Sequence, residues 1–223
     1  MAHPARQESV EELQAQLDRP ATVVYDANPV PSADTAQRWL TGRRAWEAAD
    51  PTSDWTVVIQ DDITVSQDFT AAAERALMEV GTEGCVSFYA GTGRPDQQHV
   101  RRAIRLAERR QYSWWCIRSL NWGPAIALPT KIIPDMLDWC GQEERWQKPT
   151  RYRSGNYDYR IGVYVRDILK WRTWYTNPSL VEHKGLPSLV GHDTGAERRA
   201  HNFHAGSGLD IDWTKHGGLR ATL

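Results

Sequence analysis

The chain lacks the features that mark covalent, metal-built or membrane-bound frameworks. It has three cysteines in 223 residues, Cys85, Cys116 and Cys140, and none of them shows the CxxC spacing typical of zinc sites. We therefore expect neither a disulfide framework nor a zinc site, and a reducing cytoplasm as the location. No apolar run reaches the length of a membrane span, and the polar N-terminus does not look like a signal peptide. These absences predict a soluble cytoplasmic protein without a membrane span.

The chain also lacks an excess of charge of either sign. Its 27 basic and 28 acidic residues give a formal net charge of -1, which argues against a general binder of polyanions. One predicted helix, 97–110, is an exception because five arginines fall on it. A solvated helix face is the ordinary explanation, and contact with nucleic acid is the alternative. The arginines are Arg101, Arg102, Arg105, Arg109 and Arg110.

What is present describes a globular protein with an unusual number of tryptophans. Hydrophobic content is 40% and charged content 25%, typical of a soluble domain with a substantial core. Most of the eleven tryptophans are expected in the core, with one or two at the mouth of a pocket.

Strand-like and helix-like segments alternate along the chain, which predicts an α/β fold. We expect a mobile loop at 141–154 and a loosely ordered Gly-rich tail after residue 204. The predicted helices cover 6–17, a segment ending near 49, 69–80, 97–110, 129–139 and 157–169. The predicted strands cover 21–25, 55–59, 84–89, 114–117, 123–128 and 171–175.

The segment 55–62 carries the clearest functional signal. Its apolar, β-branched part, 55–59, is typical of a strand buried on both faces of a parallel sheet, and Gln60, Asp61 and Asp62 follow at once. Open α/β sheets bind ligands at the carboxyl ends of their strands. Two adjacent carboxylates repel each other unless a cation offsets the charge, and Mg²⁺ or Mn²⁺ is suited to that role. An Asp-rich turn leading into a helix N-cap is an equally good explanation.

Taken in order, these features resemble compact glycosyltransferases of the GT-A fold, of the kind found in bacteriophage and actinobacterial genomes. The resemblance extends from residue 3 to about residue 192, and a Pro-Ser-Leu-Val-x-His element near the C-terminus is its most specific part. The matching segments are 3–6, the strand ending in Asp26, the helix near Trp46, 55–62, 86–93, 157–161, 177–183 and 187–192.

The resemblance implies a Rossmann-like, mainly parallel sheet and a divalent cation, Mn²⁺ or Mg²⁺, that bridges the phosphates of a nucleotide-sugar, with a UDP-sugar as the expected donor. The usual Asp-x-Asp motif reads Gln60-Asp61-Asp62 here, so Asp62 becomes the principal metal ligand. Gln60 and Asp61 then assist at the nucleotide or the metal. A C-terminal histidine often supplies a second ligand, and His183 matches best, with His192 second.

The resemblance also implies a general base and further nucleotide contacts. Asp158 lies at the start of a predicted helix, where a carboxylate deprotonates the acceptor in an inverting reaction. A first-turn aspartate favoured by the helix dipole is as good an explanation. His3, Arg6 and Asp26 are expected near the nucleotide, with Arg43 or Arg44 as further helpers of the phosphates.

These expectations combine into one catalytic domain at 1–203, in which 1–95 binds the nucleotide-sugar and 96–203 binds the acceptor. Residues 204–223 form the tail. The acceptor remains open between a modified DNA base, a protein and a glycan. Two other functions fit parts of the pattern, namely a metal-dependent phosphoesterase or nuclease and a non-catalytic module that binds carbohydrate or nucleic acid.

Overall fold

A computed structural model of the chain describes residues 1–27, 35–92, 98–147, 155–186 and 198–216. Helices and strands are mixed along it, which confirms the α/β class. The helices are α1 (Gln7–Gln16), α2 (Thr35–Glu47), α3 (Phe69–Val80), α4 (Gln98–Arg110), α5 (Ile133–Cys140) and α6 (Tyr157–Asp167). The strands are β1 (Trp55–Ile59), β2 (Ile63–Val65), β3 (Cys85–Ser87), β4 (Trp114–Ile117), β5 (Ala125–Pro129), β6 (Thr173–Thr176) and β7 (Val181–His183). Short 3-10 helices cover Pro4–Arg6, Thr130–Ile132, Glu143–Arg145 and Gly208–Asp210.

The central sheet has five strands in the order β1-β5-β3-β6-β4. Only β3 and β6 run parallel, and the other three neighbouring pairs are antiparallel. The prediction of a mainly parallel sheet is therefore wrong. An apolar run shows that a strand is buried, but it carries no information about the direction of the strands beside it. A separate antiparallel ladder joins β2 to β7.

Strand β1 lies at the edge of this sheet, and its only ladder partner among the described residues is β5. We expected both faces of β1 to be buried. Val57 is 37% exposed, so the face on which it lies is partly open to solvent. The prediction of a strand buried on both faces in a parallel sheet is wrong as well. Strand β5, which lies between β1 and β3, is by contrast buried along its whole length.

The sheet separates two hydrophobic clusters, and β5 contributes to both because successive side chains point to opposite faces. Ala125 and Ala127 face one cluster, while Ile126 and Leu128 face the other. Seven tryptophans are buried, which confirms that most of them belong to the core. They are Trp39, Trp46, Trp114, Trp115, Trp146, Trp174 and Trp213.

Two segments differ in structure from what the sequence predicted. The strand expected at 21–25 is reduced to a single bridge between Tyr25 and Ala2. The described part of the tail, 204–216, packs on the core, because Trp213 is 4% exposed and its ring lies 5.5 Å from that of Trp114.

The start of the expected mobile loop is fixed by a buried arginine on α6. The guanidinium of Arg160 donates to both carboxylate oxygens of Glu143, at 2.5 and 2.9 Å, and to the carbonyls of Gly155 and Cys140. It also lies over the rings of Trp39 and Trp146, at 5.2 and 5.1 Å from their centroids. We call this arrangement of Arg160 and Glu143 the α6 clasp. The rest of the expected loop, 148–154, lies outside the described residues.

Within the described ranges, no helix has the length and apolar character needed to cross a membrane.

Candidate functional site

The turn between β1 and β2 places two aspartates side by side in the interior. β1 ends at Ile59, β2 begins at Ile63, and Asp61 and Asp62 between them are 7% and 6% exposed. The ladder between β2 and β7 pairs Ile63 with His183, so the histidine lies beside Asp62. A further backbone hydrogen bond, from the Lys184 amide to the Asp62 carbonyl at 2.8 Å, fixes this register. The ladder thus brings together the two residues predicted to bind metal.

Asp61 is bound by the N-terminal segment. Its Oδ2 accepts from the backbone amide of His3 at 2.6 Å, and its Oδ1 accepts from the Arg6 guanidinium at 3.0 Å. The Ser9 hydroxyl donates to its carbonyl at 2.5 Å. Both oxygens of this carboxylate therefore bind residues 3–6, which are anchored next to the end of β1.

Asp62 shares Arg6 with Asp61 but is less fully bound. Its Oδ2 lies 2.9 Å from Nη1 of Arg6 and 3.3 Å from Nε2 of His183. Its Oδ1 is buried and has no hydrogen-bond partner among the described residues. Burial by itself raises the pKa of Asp62, but the hydrogen bond and charge of His183, together with Arg6, outweigh it and lower the pKa to about 2. The side chain is thus an ionised, buried carboxylate with one oxygen that has no partner among the described residues.

The two nitrogens of His183 have different partners. Nδ1 accepts from the Gly185 amide at 3.2 Å, which assigns the proton of the neutral ring to Nε2, where it donates to Asp62. A cation at Nε2 requires that this proton moves to Nδ1, which then no longer accepts from the Gly185 amide.

The residues around Asp62 fit a cation that is only partly enclosed by protein. The orphaned Oδ1 of Asp62 is a suitable ligand atom, and Nε2 of His183, 3.3 Å from Oδ2 of the same carboxylate, becomes one when its proton moves to Nδ1. The positive charge of Arg6 already offsets part of the negative charge. No cluster of three or more His, Cys, Asp or Glu side chains suited to a metal occurs in the described part of the chain. Such a set fits Mg²⁺ or Mn²⁺ that takes its other ligands from phosphates and water.

Asp158 and Gln60 meet at Gly123. A methyl group on Gly123 would lie 3.2 Å from Cβ of Asp158 and 3.4 Å from Nε2 of Gln60, so both side chains flank this residue closely. Asp158 is in the first turn of α6, and its Oδ1 accepts from the Tyr159 amide at 2.9 Å. Gln60 follows β1 directly, and its backbone amide donates to the Pro124 carbonyl at 2.9 Å. The fold therefore brings the predicted base to the same strand end as the aspartate pair.

Two aromatic residues near this strand end were not predicted as site residues. The hydroxyl of Tyr89 donates to the Arg198 carbonyl at 2.9 Å, and burial, with the charges of Glu182 and Asp62 added to it, raises the pKa of this side chain. The ring of Trp122 meets Tyr89 edge-on at 6.3 Å and precedes Gly123 in the chain. Trp122 is only partly buried. The Trp122-Gly123 dipeptide belongs to no sequence motif, so the sequence alone does not mark it as part of a site.

The remaining predicted residues lie on the N-terminal side. The Asp26 amide donates to the Ala2 carbonyl at 2.8 Å, so Asp26 sits beside the segment that binds Asp61. Arg44 donates to the Tyr25 carbonyl at 3.1 Å, whereas Arg43 pairs with Glu47 at 2.7 Å. The alternative histidine, residue 192, lies outside the described residues. The structure thus gathers His3, Arg6, Asp26, Asp61, Asp62 and His183 on one side of the strand end, and Gln60 and Asp158 at Gly123.

No protein-family model matches the chain, and no curated protein matches it at a significant level.

Proposed function

We propose that the chain is a glycosyltransferase with a GT-A-type fold, which transfers a sugar from a nucleotide-sugar donor with the help of a divalent cation. The observation that carries this proposal is the state of Asp62. Its carboxylate is buried and ionised, it lies 3.3 Å from His183, and one of its oxygens has no partner in the part of the chain that the structure describes. An ionised buried carboxylate is costly unless cations or hydrogen-bond donors satisfy it. A donor diphosphate with its cation would satisfy the oxygen that Arg6 and His183 leave open.

Asp62 and His183 would hold the cation, and Asp61 would hold Arg6 in place. A bound Mg²⁺ or Mn²⁺ stabilises the negative charge that develops on the diphosphate when the bond to the anomeric carbon breaks. Arg6 contributes a second positive charge at the same place, because one nitrogen of its guanidinium contacts both aspartates at 3.0 and 2.9 Å.

Asp158 would act as the general base toward the acceptor. It flanks Gly123 together with Gln60, which directly precedes the aspartate pair. A carboxylate there removes the proton of the attacking hydroxyl and implies inversion at the anomeric carbon. Trp122 lies next to Gly123 and offers an apolar face to a sugar or a base. A modified DNA base, a protein and a glycan all remain acceptors to be tested.

The direct test is titration of UDP and a panel of nucleotide-sugars with and without Mn²⁺. Wild-type protein should bind the donor far more tightly with Mn²⁺, and Asp62→Asn should lose that enhancement while circular dichroism stays unchanged. Asp54→Asn is the matched control, because Asp54 is an exposed carboxylate just before the other end of β1. Equal affinity of wild type and Asp62→Asn in Mn²⁺ would remove the metal assignment.

The test of Asp158 is Asp158→Asn, which keeps the size of the side chain and removes its basicity. Transfer should fall roughly 10²–10⁴-fold, the usual contribution of a positioned acid or base, with donor affinity unchanged. Asp135→Asn is the control, because Asp135 is an exposed aspartate in the first turn of α5. If Asp158 acts only on the helix dipole, both variants should lose up to about 1 kcal/mol of stability and keep normal turnover.

The titration, combined with assays of sugar transfer and phosphodiester hydrolysis with and without Mn²⁺, separates the two other functions. A metal-dependent phosphoesterase or nuclease would hydrolyse a phosphodiester without transferring a sugar. Its two-metal sites need more convergent ligands than Asp62 and His183 supply among the described residues. A non-catalytic binding module would bind carbohydrate or nucleic acid equally well with and without Mn²⁺. Sugar transfer that depends on Mn²⁺ is expected only of the proposed function.

A further inference from the structure

We infer that the outer face of α4 is a docking surface for the phosphate backbone of nucleic acid, a role separate from the site at the end of β1. The helix has five arginines and one glutamate, a net charge of +4, so the chain's net charge of -1 leaves -5 for all other residues. Positive charge is therefore concentrated on one element of an otherwise acidic protein.

The arginines form a stripe that is open to solvent. Arg102, Arg105 and Arg109 follow one another at i, i+3 and i+7, which places them on one face over roughly 10 Å of helix axis. All three are exposed, and within the described ranges neither they nor Arg110 forms an ion pair with a carboxylate. The glutamate of the helix, Glu108, pairs instead with His201 at 2.9 Å. Like charges three and four residues apart destabilise a helix, and an anionic partner would remove that cost.

The spacing and type of these residues favour nucleic acid. One strand of a duplex carries a phosphate about every 3.4 Å of axis, so the stripe spans about three phosphates. All five basic residues are arginine, whose planar guanidinium binds phosphate through two parallel hydrogen bonds. An acidic peptide is the other anionic partner, and the test below includes it as polyglutamate.

A membrane surface fits less well because the apolar face of α4 is already covered. Val100, Ile104 and Ala107 are buried and pack with Trp115 and Tyr175 of the central sheet. An interfacial helix binds membranes by inserting such a face between the lipids. Here only the charged face is available, with Leu106 as its single large exposed apolar side chain. The charged face alone can follow a phosphate backbone.

The test compares two triple variants with the same change in charge, using fluorescence anisotropy of a labelled DNA duplex over a range of salt concentrations. The first carries Arg102→Gln, Arg105→Gln and Arg109→Gln, and glutamine keeps the helix propensity of arginine. The second carries Arg19→Gln, Arg75→Gln and Lys131→Gln, which are exposed residues away from α4. Circular dichroism and thermal melting check that both variants fold.

We expect wild-type protein to bind the duplex with an affinity that falls steeply with salt. The α4 variant should bind about tenfold or more weakly at low salt, and the slope of log affinity against log salt should decrease by about 2 to 3. The control variant should remain close to wild type. Absence of duplex binding by wild type, or an equal loss in both variants, would overturn the inference. Binding to polyglutamate or to phosphatidylglycerol vesicles as strong as to the duplex would also overturn it. The outcome is independent of the transferase proposal, because neither triple variant changes Asp62, His183 or Asp158.

Discussion

Two arginines bind carboxylates in different parts of this molecule. They differ in how many oxygens of the bound carboxylates have a hydrogen-bond partner. Arg160 in the α6 clasp is 1% exposed and binds both oxygens of Glu143, two carbonyls and the faces of two tryptophans. Arg6 binds one oxygen from each of two adjacent aspartates, and the second oxygen of Asp62 stays buried with no partner among the described residues.

The difference separates a structural contact from a candidate site. A buried polar network that is fully satisfied stabilises one conformation, whereas a partly satisfied one retains a free-energy cost that a ligand can remove. The clasp holds the 3-10 turn at Glu143–Arg145 against α6. The pair of aspartates is held in place by Arg6, while Oδ1 of Asp62 has no partner among the described residues. Three predictions test this contrast, from the largest expected effect to the smallest.

The largest effect is expected from Arg160→Ala, which removes the clasp. The substitution leaves a cavity between Trp39 and Trp146 and takes the donor from the Gly155 carbonyl, so the free energy of unfolding should fall by about 3 to 5 kcal/mol. Urea unfolding followed by tryptophan fluorescence measures the loss. Glu143→Gln is the control and should cost below about 1 kcal/mol, since the Glu143 side chain is 44% exposed. A wild-type unfolding curve for Arg160→Ala would show that the clasp contributes little.

The next effect is expected from Arg6→Gln, which leaves Asp61 and Asp62 without their shared cation. Without metal, the free energy of unfolding should fall by about 2 to 3 kcal/mol, because the two buried carboxylates then repel each other. Mn²⁺ at about 100 times its dissociation constant should restore about 2.7 kcal/mol.

The metal response distinguishes the two arginines. Mn²⁺ should stabilise Arg6→Gln more than wild type, because the competing guanidinium is gone, and it should stabilise Arg160→Ala no more than wild type. Thermal melting with and without Mn²⁺ measures all three proteins. An equal shift in every protein would show that Arg6 and the cation do not share a site.

The smallest effect is expected when the pH is lowered and the stability of wild type is compared with that of Asp62→Asn. The pKa of Asp62 is lowered to about 2 from its usual value of 3.8, so its ionised form stabilises the folded state. This contribution, about 2 kcal/mol, is fully present above about pH 5 and is lost as the pH falls toward 2. Asp62→Asn cannot lose it, so the difference in stability between wild type and this variant should shrink in acid. Parallel stability curves for the two proteins over that range would contradict the assignment.

The sequence alone was sufficient for elements whose signal is local. The helix predicted at 69–80 coincides with α3, and the strand predicted at 114–117 coincides with β4. Periodicity and side-chain size act over a few residues, so they specify such elements wherever the rest of the chain lies. The position of Gln60-Asp61-Asp62 at a strand end was predictable for the same reason.

Long-range partners could not be predicted in this way. The N-terminus of α3 is capped by Asp18, whose carboxylate accepts from the amides of Thr70 and Ala71 at 2.8 and 3.0 Å. Sequence reasoning placed a helix there and gave no sign of its distant cap. The predicted direction of the strands in the central sheet was wrong for the same reason. Burial of a strand does not specify which neighbour it pairs with.

The sequence by itself determined that the protein is α/β, that most of its tryptophans are buried, and that two aspartates follow strand β1. Only the tertiary structure decided that the two aspartates differ in their hydrogen-bond partners. The N-terminal segment binds both oxygens of Asp61. The ladder between β2 and β7 brings His183 to Asp62, whose Oδ1 has no partner within the described ranges. Adjacent identical residues have the same local signal, and their difference arises from partners far away in the chain, which only folding brings within hydrogen-bonding distance.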